Sequence, residues 1–159
     1  MQCFAFSLLL LVLLASAAVA QSTLFIVRHA EKTSSGGIDP DLSEAGRARA
    51  EALAKMLKDA GITAIYATEF KRTQQTAAPL AKILDITVTI VPAKQTALLT
   101  SELRELHANA LAVSHGNSMP ELIKSLGLDT PINIPESDYD NLFVIMLDEN
   151  PRLIRLHYR

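Results

Sequence analysis

The sequence predicts an α/β protein: a three-layer sandwich with a mostly parallel central sheet, helices on both faces and an antiparallel C-terminal edge. Three observations carry this. From Thr23 onward, short apolar runs rich in β-branched residues alternate with longer amphipathic runs, the pattern of β–α–β units. The last two apolar runs, "NLFVIML" and "RLIRLHY", are joined by a turn at Asp148–Pro151 and read as a hairpin. No repeat, low-complexity tract or change of composition interrupts residues 21–159, so they read as one domain.

The elements follow in order. Leu24–Val27 is an apolar run of strand length, and "SSGGIDP" (residues 34–40) is loop by composition. "LSEAGRARAEALAKMLKDAG" reads as a helix with Ser43 as N-cap and Gly61 as the stop. Its Leu42, Ala45, Leu53, Met56 and Leu57 fall near one face. Ile62–Thr68 is a second strand. "EFKRTQQTAAPLAKIL" is a second helix that Pro79 should kink or shorten. Ile86–Val91 is a third strand, Leu98–His107 a weaker helix and Ala110–His115 a fourth strand. "MPELIKSLG" is a short helix that tolerates Pro120 in its first turn.

Residues 1–20 have another character. "MQCFAFSLLLLVLLASAAVA" carries no charged side chain and ends Ala18-Val19-Ala20, the small-x-small pattern of a signal-peptide cleavage site, with a mature chain from Gln21. This predicts export, periplasmic or secreted. The alternative is a membrane anchor formed by an uncleaved signal, but Phe4 to Ala20 lies at the bottom of the spanning range and runs without spacer into a core strand. After cleavage no stable membrane insertion is expected. Cys3, the only cysteine, leaves with the signal, which excludes thiol catalysis and cysteine-ligated metals from the mature domain. A net charge of −2 and the absence of tryptophan argue against a nucleic-acid partner.

The chemistry collects where the strands end. "LFIVRHAEK" runs from an apolar strand straight into Arg28 and His29; the second strand leads to Arg72 in the first turn of its helix; the fourth ends on Ser114-His115-Gly116 and leads into Asn117. In parallel α/β sheets, ligands bind outside the carboxyl ends of the strands. Two guanidinium forks and two imidazoles on one rim suit a phosphate dianion, because arginine bonds paired oxygens and stays charged. A helix N-terminus after Gly116 would add backbone donors. The histidines have no carboxylates at metal-ligand spacing, and arginines repel a divalent ion, so neither metal nor cofactor is expected. His107 and His157 read as structural or solvent-exposed, and "PESDYDN" (residues 135–141) as a loop lowering the charge at the site's mouth.

"VRHAEK", "LSEAGRARAEALA", "IYATEFKRTQQTAAPLA" and "VSHGNSMPELIKSLG", in that order, resemble the histidine phosphatase superfamily, whose fold is phosphoglycerate mutase-like. Arg28-His29-Ala30 stands where the family has Arg-His-Gly, and Thr68-x-x-x-Arg72-Thr73-x-x-Thr76-Ala77 resembles its Ser-x-x-x-Arg-Ala-x-x-Thr-Ala stretch. The resemblance implies that His29 attacks phosphorus to form a phosphohistidine that water hydrolyses. Arg28, Arg72 and His115 would bind the phosphoryl group, with Asn117 in the substrate-binding set. Two departures stand out. Ala30 replaces a glycine, tolerable if that position needs no positive φ. The family's acidic proton donor after the third strand is missing, since "PAKQTALLT" has no acid before Glu102. Glu31 is the substitute candidate, against the alternative of a salt-bridging surface acid.

The expected function is that of an exported, metal-independent phosphatase acting on small phosphomonoesters or phosphoramidates, similar to the small phosphohistidine-phosphatase branch. The chain is too short for the insertions with which mutases enclose a sugar acid. The alternative is a phosphate- or phosphoester-binding module without turnover.

Overall fold

The computed structural model describes residues 22–158. The expected signal peptide lies outside the described residues. Six strands, β1 (Ser22–Arg28), β2 (Ile62–Ala67), β3 (Val88–Ile90), β4 (Asn109–Ser114), β5 (Asn141–Leu147) and β6 (Arg152–His157), form one sheet of order β3-β2-β4-β1-β5-β6. β1, β2, β3 and β4 run parallel, while β5 pairs antiparallel with β1 and β6 pairs antiparallel with β5 at the edge. The expected antiparallel edge is therefore two strands wide.

Helices α1 (Glu44–Leu57) and α2 (Lys71–Leu84) cover one face; α3 (Thr96–Glu105) and α4 (Met119–Ser125) cover the other. Side-chain alternation on the strands divides the core accordingly. Val27, Leu111 and Val113 join Leu53, Leu57 and Leu80 beneath α1 and α2. Leu24, Ile26, Ala110 and Ala112 join Leu99, Leu103 and Leu122 beneath α3 and α4. Burial on both faces is why these strands read as nearly unbroken apolar runs. Among the described residues no helix is long and apolar enough to cross a membrane.

Local chemistry sets the helix boundaries. Ser43 caps α1 by accepting a hydrogen bond from the Gly46 amide at 3.0 Å. After α1, Gly61 takes a positive φ of 65°, a region costly for residues with a Cβ, and turns the chain into β2. At the start of α2 no side chain of its own N-cap residue serves; instead Asp39 Oδ1, from the loop before α1, accepts from the Lys71 amide at 2.9 Å.

Two expectations are corrected. Ala45 and Met56 are exposed; Gly46, Ala50, Leu53, Ala54 and Leu57 make the buried stripe of α1, because the helix leans its small-residue side on β1's exit. Pro79 does not shorten α2, which continues to Leu84. A proline inside a helix costs about 3 kcal/mol, and fully burying one leucine returns about 1.5–3 kcal/mol. Leu80 and Ala81, just beyond the proline, are both buried against α1 and the sheet, so continuing the helix wins.

Gly46 marks the closest approach in this layer. A Cβ there would overlap the carbonyl of Glu31, which itself accepts from the Ser43 amide at 2.8 Å. Gly46→Ala should therefore push α1 off the segment that follows β1. Overpacking of this kind costs about 1–3 kcal/mol. The check is a lowered urea midpoint with an unchanged slope.

Candidate active site

The register of β1 on β4 creates the site. Arg28 pairs with Ser114, so the next residue on each strand, His29 and His115, emerges on the same rim. Their ring centroids lie 5.4 Å apart at 64°, and both side chains are buried. The backbone pairing extends one step further, with the His29 amide donating to Ser114 O at 2.9 Å. Arg72 reaches the same place from the first turn of α2. Thr76 ties the two segments together: its hydroxyl accepts from the Ala30 amide at 2.9 Å and donates to Arg72 O at 2.7 Å. Ala30 is fully buried and not among the positive-φ residues, so alanine meets the condition set for it.

A cleft of about 590 Å³ opens here, lined by Arg28, His29, Arg72, His115 and Asn117 together with Lys32, Pro120, Ile132, Ile134 and Glu136. His29 Nδ1 lies 2.8 Å from Ala30 O. A carbonyl oxygen can only accept, so Nδ1 carries the proton and Nε2 keeps its lone pair. Burial pushes the ring's pKa down to about 4; His115, Arg28 and Arg72 push the same way, against the Ala30 carbonyl. Burial likewise brings His115 to about 4, reinforced by Arg72 and opposed by Glu69. Both imidazoles are neutral at pH 7. His115 Nε2 sits 3.0 Å from Thr68 Oγ1, which is 2.9 Å from Thr73 Oγ1, a buried hydroxyl pair that fixes the ring.

The arginines are braced from behind. Arg28 Nη1 donates to the carbonyls of Glu136 at 2.8 Å, Pro135 at 3.1 Å and Asp138 at 3.3 Å, and the guanidinium lies 4.3 Å over the Tyr139 ring. Arg72 stacks 4.3 Å over Phe70 and has Asp39 Oδ1 at 3.8 Å, too far for a hydrogen bond. Arg28 Nε, Arg72 Nε and Arg72 Nη1 are buried donors with no partner among the described residues. Leaving such a donor unsatisfied costs roughly 1–3 kcal/mol. An oxyanion accepting from them recovers that cost, so the donor set fits a phosphoryl group. Among the described residues, the one group of three with metal-ligand geometry is Asp138, Asp140 and His157, of which His157 and Asp138 are engaged by Asp140 and Arg155. His107 and His157 are both exposed and neither lines the cleft.

Two expectations differ from what is found. Glu31 does not line the cleft. Its carboxylate accepts from Arg49 Nη2 at 2.6 Å and from Arg49 Nε at 2.9 Å on both oxygens. Burial pushes this carboxyl up, but the Arg49 hydrogen bonds overcome it and hold the pKa below the usual carboxylate value. A carboxylate kept ionised this way is a structural ion pair and a poor proton donor. Nor does α4 offer its first amides: those of Ser118 and Met119 both turn back to His115 O at 3.1 Å. The 135–139 loop, read only as a charge-lowering segment, turns out to hold Arg28. Its Pro-Glu-Ser-Asp-Tyr composition signals a turn, but nothing in it signals that three of its carbonyls face one guanidinium.

Fold and cleft together define a phosphatase. Residues 24–95 match the family model described as "Histidine phosphatase superfamily (branch 1)". The matched stretch holds Arg28, His29 and Arg72, so the part of the chain that carries the nucleophile and both arginines is similar to that superfamily. Among solved structures, it is similar to the protein histidine phosphatase SixA in complex with tungstate, at 21% identity and TM-score 0.71, covering 85% of this chain and 96% of that one. It is similar also to the α-ribazole phosphatase from Shigella flexneri, at 17% identity and TM-score 0.70, covering 85% and 96%. A mycobacterial glucosyl-3-phosphoglycerate phosphatase aligns at 15% identity and TM-score 0.68, covering 87% and 100%. At these identities the three likenesses speak for the fold. No curated protein sequence matches the chain.

The depressed histidines link the site to stability. In the unfolded chain each titrates near 6.5, in the folded protein near 4. Between these values the unfolded state binds more protons, so stability falls as pH is lowered from about 6.5 towards 4. Urea midpoints measured across that window should decline, less steeply in His115→Ala, and imidazole NMR titrations should place both midpoints well below 6.5.

Proposed function

We propose that the protein is an exported, metal-independent phosphatase that hydrolyses phosphomonoesters or phosphoramidates through a phosphohistidine on His29. One observation carries it: His29 Nε2 keeps its lone pair in a cleft whose arginines present unpartnered donors. Nε2 attacks phosphorus, the bond to the leaving oxygen or nitrogen breaks, and water then cleaves the P–N bond to release phosphate. Arg28, Arg72 and His115 hold the phosphoryl oxygens, and Asn117, which lines the same cleft, belongs to the substrate-binding set. Stabilisation comes from fixed cations already braced in place, so no reorganisation is needed as charge shifts in line. The same two guanidinium groups supply the positive charge that a metal supplies elsewhere.

Likeness to SixA, named a protein histidine phosphatase, supports the small phosphohistidine-phosphatase branch, and the two sugar-linked phosphatase neighbours support small phosphoesters. The leader-like residues 1–20 support export, in which case extracytoplasmic phosphoesters are the substrates within reach. Amino-terminal sequencing of the secreted or periplasmic protein should begin at Gln21.

Incubation with a labelled phosphodonor should leave an acid-labile, alkali-stable adduct on His29. Tight phosphate binding with no adduct and no turnover would instead identify a binding module. His29→Ala should abolish hydrolysis of an aryl phosphate, and Arg72→Ala should lower it by about 10²–10³. Chelator should leave the rate unchanged; loss of activity that zinc or magnesium restores would refute metal independence.

A further inference from the structure

We propose that Glu136 is the proton donor to the leaving group, a role for a residue on the loop between α4 and β5. This rests on the phosphatase reading above. The carboxylates around the cleft decide the matter by their other commitments. Glu31 is clamped by Arg49. Glu69 Oε2 accepts from the Ala93 amide at 2.7 Å, and Asp39 Oδ1 accepts from the Lys71 amide at 2.9 Å while facing Arg72. Asp138 faces Arg155 at 3.7 Å. None of these four lines the cleft that holds His29, and Glu136 does.

Glu136 is also held in place without using its side chain. Its carbonyl accepts from Arg28 Nη1 at 2.8 Å, so the backbone of the residue is fixed by a guanidinium that flanks His29. The residue is exposed, which lets its carboxyl exchange protons with water between turnovers. Ile132, Ile134 and Pro120 line the same cleft, apolar groups suited to the organic part of a phosphoester.

In the first half-reaction Nε2 of His29 forms the bond to phosphorus. The P–O bond to the leaving group breaks with its electron pair on oxygen, and that oxygen takes the proton of Glu136. In the second, water attacks phosphorus and gives a proton back to the Glu136 carboxylate, while the P–N electrons return to Nε2.

The test compares kcat/KM for p-nitrophenyl phosphate, whose leaving group needs no proton, with that for an alkyl phosphate such as glycerol phosphate, whose leaving group does. Glu136→Gln keeps the backbone contact to Arg28 and should lower the alkyl phosphate value about 10²–10⁴-fold, while changing the p-nitrophenyl value less than about 3-fold. A merely structural role would lower both alike. Equal losses on the two substrates, no loss on either, or selective loss in Glu31→Gln rather than Glu136→Gln would overturn the proposal. Wild-type protein that hydrolyses neither substrate, or His29→Ala that still hydrolyses p-nitrophenyl phosphate, would refute the phosphatase reading beneath it, and that failure is distinct from the first.

Discussion

The site depends on the register between β1 and β4. With Arg28 opposite Ser114, two histidines that are 86 positions apart in sequence leave the sheet side by side. Strand side chains alternate faces, so a slip of β1 by one residue would carry Val27 from the layer under α1 and α2 to the layer under α3 and α4 and part His29 from His115. The two layers are filled by side chains of different size, Ala110 and Ala112 on one face and Leu111 and Val113 on the other, so that slip would misfit the packing. The catalytic geometry is thus a by-product of core packing: what holds His29 next to His115 is chiefly the burial of Leu24, Ile26, Leu111 and Val113 beneath four helices.

Secondary ties refine what the register sets. Thr76 accepts from the amide after His29 and donates to the carbonyl of Arg72, so one hydroxyl fixes the first strand's exit against the first turn of α2. The Thr68–Thr73 pair does the same for the His115 ring. These hydroxyls are buried and satisfied, while guanidinium atoms of the two arginines that line the cleft are buried and unsatisfied. The contrast separates the groups that build the site from those that await a ligand.

Much of this was legible in the sequence, and the reason is physical. Fully buried parallel strands must be continuous apolar runs, and such runs end where polar residues meet water, which is how Arg28, His29, Arg72 and His115 announce themselves. Ser43 and Gly61 could be read because caps and left-handed turns demand particular residue types. What could not be read depends on side chains meeting across the chain. Glu31 next to a nucleophile looks like an acid in reserve; only the fold shows that Arg49, on the face of α1 turned towards β1's exit, takes it. Ala45 and Met56 were misplaced because a helix resting on small residues buries Gly46 and Ala50 instead, and a glycine carries no hydropathy signal. The loop that holds Arg28 was opaque for a simpler reason: it acts through carbonyls, which every residue has.

That last point bears on how such a protein can change. Because Arg28 is gripped by main-chain oxygens of residues 135, 136 and 138, the anchoring requires only that the loop keep its path. Side chains of this loop other than that of Glu136 can be exchanged while the anion clamp stays in place. Preference for one alcohol or amine over another can therefore drift on this rim, at little cost to folding, in a way that is closed to the histidines and arginines beneath it.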